Sequence, residues 1–163
     1  MKISAQISLD GSALADSNAP FIYVVDDLPC LTELYTLVLE ESGYEVKAFS
    51  DRAAALAALK SDERKPEILI TDYVNDSMPI DRFIRECRAA HPELWILMVS
   101  GFGQHQGQFL TVRPDHFLQK PFPPDELRRN VDEGLERKSS QEFHARSRVA
   151  SRVEQPTRLK NWN

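Results

Sequence analysis

Cysteine is scarce in this chain. Its 163 residues include two, Cys30 and Cys87, with no CxxC spacing. That argues against a disulfide scaffold and a zinc ribbon, and it fits a reducing cytoplasm. Glycine is scarce as well: the six at 11, 43, 101, 103, 107 and 134 form neither GxGxxG nor GxxxxGKS/T, which argues against a phosphate-cradling nucleotide loop. No apolar run approaches the roughly 18 residues that a membrane span needs. The N-terminus has one lysine and no apolar stretch behind it, so no secretory signal is visible. His91, His105, His116 and His144 show no metal-ligand spacing. Basic charge is not in excess: 20 Lys and Arg face 25 Asp and Glu, a net charge of −5, which disfavours nonspecific nucleic-acid binding by the chain as a whole.

What is present is a globular composition, 42% apolar and 28% charged. Residues 1–19 carry no sustained period and read as a flexible extension. From Phe21 the pattern changes: FIYVV is a β-rich run suited to a strand buried on both faces, and it stops at Asp26-Asp27. Residues 29–42 then predict a helix, with Pro29 in the first turn, Leu31, Leu34, Tyr35, Val38 and Leu39 as its apolar face, and Gly43 closing it. YEVKAF reads as a second strand, and Ser50 as the cap of a helix DRAAALAALK. EILIT is a third strand that stops at Asp72; after a loop, Ile80, Phe83, Ile84 and Cys87 share one helical face. LWILMVS is a fourth strand, and HFLQK a fifth. Between these two, the glycine- and glutamine-rich GFGQHQGQ predicts a short or poorly formed helix at most. Pro123 and Pro124 open a last helix with Leu127, Val131 and Leu135 inward, and the period fades after Lys138.

Strands alternating with helices over residues 21–137 predict a parallel sheet with helices on both faces. In such sheets ligands bind beyond the carboxyl ends of the strands. There stand Asp26 and Asp27, Asp72, Ser100 and Lys120. Alone, each has an ordinary explanation as a turn former, a cap or a solvated charge. Together they permit a specific chemistry. Three clustered carboxylates repel one another and call for a cation, and hard oxygen ligands suit Mg²⁺ better than zinc. A lysine supplies a point charge for phosphate and a serine supplies a hydroxyl donor. A carboxylate can itself be the nucleophile and become an aspartyl phosphate.

VVDDLPCLTELYTLVLEESGYEV, ILITD, ILMVSGFG and FLQKPF, in that order, resemble the receiver domain of two-component response regulators over roughly residues 20–137. The resemblance implies a flavodoxin-like α/β fold with five parallel strands in the order 2-1-3-4-5. It implies phosphorylation of Asp72 by a histidine kinase or a histidine phosphotransfer protein, with slow autodephosphorylation, by a signalling module rather than an enzyme. It also implies that Asp27 binds Mg²⁺ directly, Asp26 mainly through water, and that Asp72 and the carbonyl of Val74 complete the metal ligands. Ser100 matches the residue that hydrogen-bonds the phosphoryl group, Lys120 the lysine that pairs with it, Pro121 the position of a cis peptide bond, and Phe117 the aromatic switch residue that moves with Ser100. Phenylalanine has no hydroxyl to favour an outward rotamer, so Phe117 is expected to be substantially buried without phosphate.

Two departures from the family pattern stand out. Asn75 and Asp76 occupy the positions where the family has Met-Pro, which comes later as Met78-Pro79; this implies a remodelled loop, with Asp76 facing solvent. The segment between Ser100 and Lys120 is about two residues short for the family, as in receivers attached to hybrid histidine kinases. Residues 138–163 are locally basic and read as a disordered tail, too short for a DNA-binding domain. The expectation is a stand-alone, cytoplasmic, phospho-accepting receiver with an unspecified downstream protein target. The competing readings are a degenerate receiver that only binds protein, and a Mg²⁺-dependent hydrolase working through an aspartyl phosphate. The hydrolase would need a second catalytic Asp two residues after Asp72, where Val74 stands.

Overall fold

The structure, a computed structural model, describes residues 19–74, 77–101 and 110–153, and of 141–153 the backbone alone. Its elements in chain order are β1 (Phe21–Val25), α1 (Pro29–Glu40), β2 (Glu45–Phe49), α2 (Arg52–Ser61), β3 (Ile68–Asp72), α3 (Ile80–Ala90), β4 (Trp95–Ser100), β5 (His116–Gln119) and α4 (Pro124–Val153). The strands form one sheet in the order β2-β1-β3-β4-β5, and every pairing is parallel. This is the expected flavodoxin-like α/β arrangement.

The unbroken apolar runs of β1, β3 and β4 follow from burial of both faces of the sheet. Side chains alternate along each strand. Phe21, Tyr23, Val25, Leu69, Ile96 and Met98 pack with Leu56 and Leu59 of α2 and Phe83, Ile84 and Cys87 of α3. The intervening Ile22, Val24, Ile68, Ile70, Leu97 and Val99 pack with Tyr35 and Leu39 of α1 and Leu127 and Val131 of α4.

Local details differ from the expectations at several points. On α1, Leu34 is exposed and Thr32 is buried in its place; the inward arc is narrower than the stripe of apolar residues. Gly43 closes α1 at φ +87°, where its N–H reaches the Glu40 carbonyl. The cap of α2 is Asp51 rather than Ser50: its carboxylate accepts from the N–H groups of Ala53 and Ala54 at 2.6 and 3.1 Å. The third strand includes Asp72 itself.

The largest correction concerns the C-terminus. Helix α4 does not end at 137 but continues as helical backbone to Val153. Residues 138–153 lack a regular apolar stripe and serine is their commonest residue, yet they contain no Gly or Pro, so nothing in the segment breaks the helix once it has started. The tail beyond Val153, the extension 1–18, Asn75 and Asp76, and the segment 102–109 lie outside the described residues. Among the described residues no helix is long and apolar enough to cross a membrane.

Candidate functional site

The parallel register brings the strand ends to one rim. Val25 pairs with Thr71, Asp72 with Val99, and Ser100 with Gln119. Asp26, Asp72, Ser100 and Lys120 therefore close neighbouring strands at the same level.

Asp26 is 2% exposed. Its Oδ1 accepts from the Leu28 N–H at 3.0 Å, which turns the chain into α1, and its Oδ2 lies 3.1 Å from the Lys120 ammonium. The same ammonium lies 2.8 Å from Asp72 Oδ1. Asp72 Oδ2 accepts from the Val74 N–H at 2.7 Å. Lys120 is set in place by its own backbone N–H, which donates to the Ser100 carbonyl at 2.8 Å, and the following Lys120–Pro121 peptide is cis. Burial, the largest single influence on Lys120, favours its neutral form, but the hydrogen bonds to Asp72 and Asp26, with the charges of Tyr35 and Asp72, together outweigh it and hold the ammonium above its ordinary pKa.

Ser100 is buried at the end of β4. Phe117 pairs with Met98 on β5, so Phe117 and Ser100 project from the same face of the sheet. Phe117 is half-buried against the α2–α3 layer, short of full burial. Asp27 stands exposed on the rim, as does the Val74 side chain.

The donors Asp26, Asp27, Asp72 and the Val74 carbonyl are all oxygen, which fits a hard cation such as Mg²⁺ in kind. They are not drawn together as a cluster: among the described residues no group of three or more His, Cys, Asp or Glu is placed to hold a metal ion. Asp26 and Asp72 instead share the Lys120 ammonium.

Two residues join the site that the sequence did not single out for it. Arg52, at the start of α2, is 1% exposed and donates to the carbonyls of Asp72, Tyr73 and Met78. Tyr35, expected only as core, is close enough to Lys120, Asp26 and Asp72 for their charges to act on its phenol; burial is the larger effect and raises its pKa. The Tyr35 ring stacks on Phe122, 5.7 Å between centroids. Tyr35 could have been suspected, since it lies on the helix that leaves the Asp26-Asp27 turn. For Arg52 no sequence signal existed.

Comparison with known proteins agrees with this geometry. The chain is 28% identical over 110 residues to the nitrogen assimilation regulatory protein NtrX of Azorhizobium caulinodans, covering 65% of this chain and 24% of that protein. It is 31% identical over 129 residues to the transcriptional regulatory protein TrcR of Mycobacterium tuberculosis, covering 77% and 49%. The chain thus spans a quarter to half the length of these relatives. Among solved structures, a response regulator receiver protein from Sinorhizobium medicae superposes with a TM-score of 0.67 at 28% identity, over 74% of this chain and 98% of that one. Residues 22–132, more than half of the chain, match the family model of the response regulator receiver domain; with the five-stranded sheet and the polar rim at its strand ends, the chain belongs to the response regulator receiver domain family.

Proposed function

We propose that this receiver accepts a phosphoryl group on Asp72 from a histidine kinase or a histidine phosphotransfer protein and relays or reports it by a change of conformation. The observation that carries this reading is the shared ammonium of Lys120, 2.8 Å from Asp72 and 3.1 Å from the buried Asp26, at the carboxyl ends of the strands. A carboxylate oxygen of Asp72 attacks phosphorus, the P–N bond to the donor imidazole breaks, and the imidazole leaves with that electron pair. Lys120 then moves its charge from the Asp72 carboxylate to a phosphoryl oxygen, and the Ser100 hydroxyl donates to another. Catalysis of this transfer is mostly positioning and charge neutralisation. Asp27, Asp72, the Val74 carbonyl and, through water, Asp26 are the residues that would hold Mg²⁺, whose chemistry when bound is to neutralise phosphoryl oxygens. Asp72 is regenerated by slow hydrolysis. A cytoplasmic location goes with this reading, since histidine-kinase phosphotransfer takes place there.

The test is incubation with acetyl phosphate and Mg²⁺, followed by intact mass. A single phosphoryl adduct that is absent in Asp72→Asn is expected. No adduct would favour a receiver that only binds protein, and continuous phosphate release without an adduct would favour a hydrolase.

A further inference from the structure

Arginine at the first turn of a surface helix ordinarily lies in solvent, but Arg52 is among the largest fully buried side chains of this protein. Its Nη1 donates to the Met78 carbonyl at 2.6 Å, and its Nη2 to the carbonyls of Asp72 at 2.6 Å and Tyr73 at 2.8 Å. Its backbone N–H donates to Ser77 Oγ at 3.1 Å. The guanidinium lies over the Phe83 ring of α3, 5.9 Å from its centroid. One side chain therefore ties the end of β3 to the far side of the loop leading into α3, and anchors both to α2.

The bond to Tyr73 has a particular consequence. The Tyr73 carbonyl and the Val74 N–H belong to one peptide unit, which is planar and trans, so its two polar groups point in opposite directions. Arg52 holds the oxygen end of that unit. The nitrogen end donates to Asp72 Oδ2 at 2.7 Å. Fixing the one end aims the other, and the aimed N–H fixes the rotamer of the Asp72 carboxylate.

Resting on the proposed phosphoacceptor role of Asp72, we infer that Arg52 is a positioning residue, which acts through the Tyr73–Val74 peptide to hold the Asp72 carboxylate ready for attack. A planar fork with several fixed donors is needed to serve three carbonyls at once; a lysine ammonium keeps the charge but not that geometry.

The test compares Arg52→Lys and Arg52→Gln with wild type in the full chain. Two quantities are read: hydrogen exchange of the Val74 amide by NMR, and the rate of labelling by acetyl phosphate with Mg²⁺. The expected result in both variants is Val74 exchange faster by about tenfold, with labelling slower by about tenfold, the loss of one strong hydrogen bond. Amides of Val24 and Ile70 in the core strands serve as the control and keep their protection. Unchanged Val74 exchange overturns the inference even if labelling slows, because the arginine would then act through charge alone. Wild-type protein that takes no label would refute the phosphoacceptor role, and the Val74 exchange would still decide whether Arg52 positions Asp72.

Discussion

The Lys120 ammonium is 3.1 Å from Oδ2 of Asp26, a carboxylate that is almost wholly buried and whose other oxygen has the Leu28 N–H for a partner. Removing one member of such a pair leaves a charge with poor compensation away from water. Lys120→Met should therefore destabilise the protein by roughly 3 kcal/mol in urea unfolding. Lys120→Met with Asp26→Asn should recover part of that loss. A Lys120→Met midpoint equal to that of wild type would show that water, not Lys120, compensates Asp26.

Alkaline pH should weaken the fold. Burial, with a smaller effect of Glu86, pushes the Cys87 thiol up to about 12, and burial with the hydrogen bond to Asp132 pushes the Tyr44 phenol up to about 12. The Lys120 pKa is raised too. Each folded-state pKa lies above its unfolded value, so the folded chain keeps protons that the unfolded chain releases. This contribution is complete below the unfolded values, near 9 for Cys87 and 10 for Tyr44. It falls away as pH rises toward about 12. Urea midpoints should drop steadily above about pH 9, and less steeply in Cys87→Ala and Tyr44→Phe, which lack the titrating groups.

Helix α4 packs against β4 where Gly134 meets Trp95. A Cβ at Gly134 would come within 2.8–2.9 Å of three atoms of the Trp95 ring. Alanine in mid-helix ordinarily gains about 1 kcal/mol over glycine. Here overpacking should reverse the sign, and Gly134→Ala should lower stability by about 1–3 kcal/mol. A stabilised Gly134→Ala would mean that α4 shifts freely on the sheet.

Phe117 should respond weakly to phosphorylation. It is already half-buried against the α2–α3 layer. A ligand moves an equilibrium only by its differential affinity for the two states, so a ring that starts part-way in has less far to shift. Fluorine NMR of a labelled Phe117 should show a small change on treatment with acetyl phosphate. A large change to a new environment would make Phe117 a full two-state switch.

The sheet was legible because β1, β3 and β4 are short apolar runs, because four of the five strands end at a chemically useful residue, and because Gly43 and the prolines mark helix boundaries. The rim was legible for the same reason: a parallel sheet places Asp26, Asp72, Ser100 and Lys120 side by side. Reasoning from periodicity failed where packing and propensity part company. The apolar stripe of α4 fades after Leu135 and the residues that follow are serine-rich, so its extension to Val153 was hidden. Asp51 and Ser50 are both capping types one residue apart, and only backbone geometry distinguishes them. Arg52 was hidden because its partners are main-chain carbonyls, which leave no mark in the side-chain pattern.

The most direct measurement is the location of the phosphoryl group. Protein treated with acetyl phosphate and Mg²⁺ is reduced with borohydride, which converts an aspartyl phosphate to homoserine, and the modified position is read by peptide mass spectrometry. The account predicts homoserine at position 72, and none in protein that was not exposed to acetyl phosphate. Modification at another carboxylate, or none at all in folded protein, would contradict it.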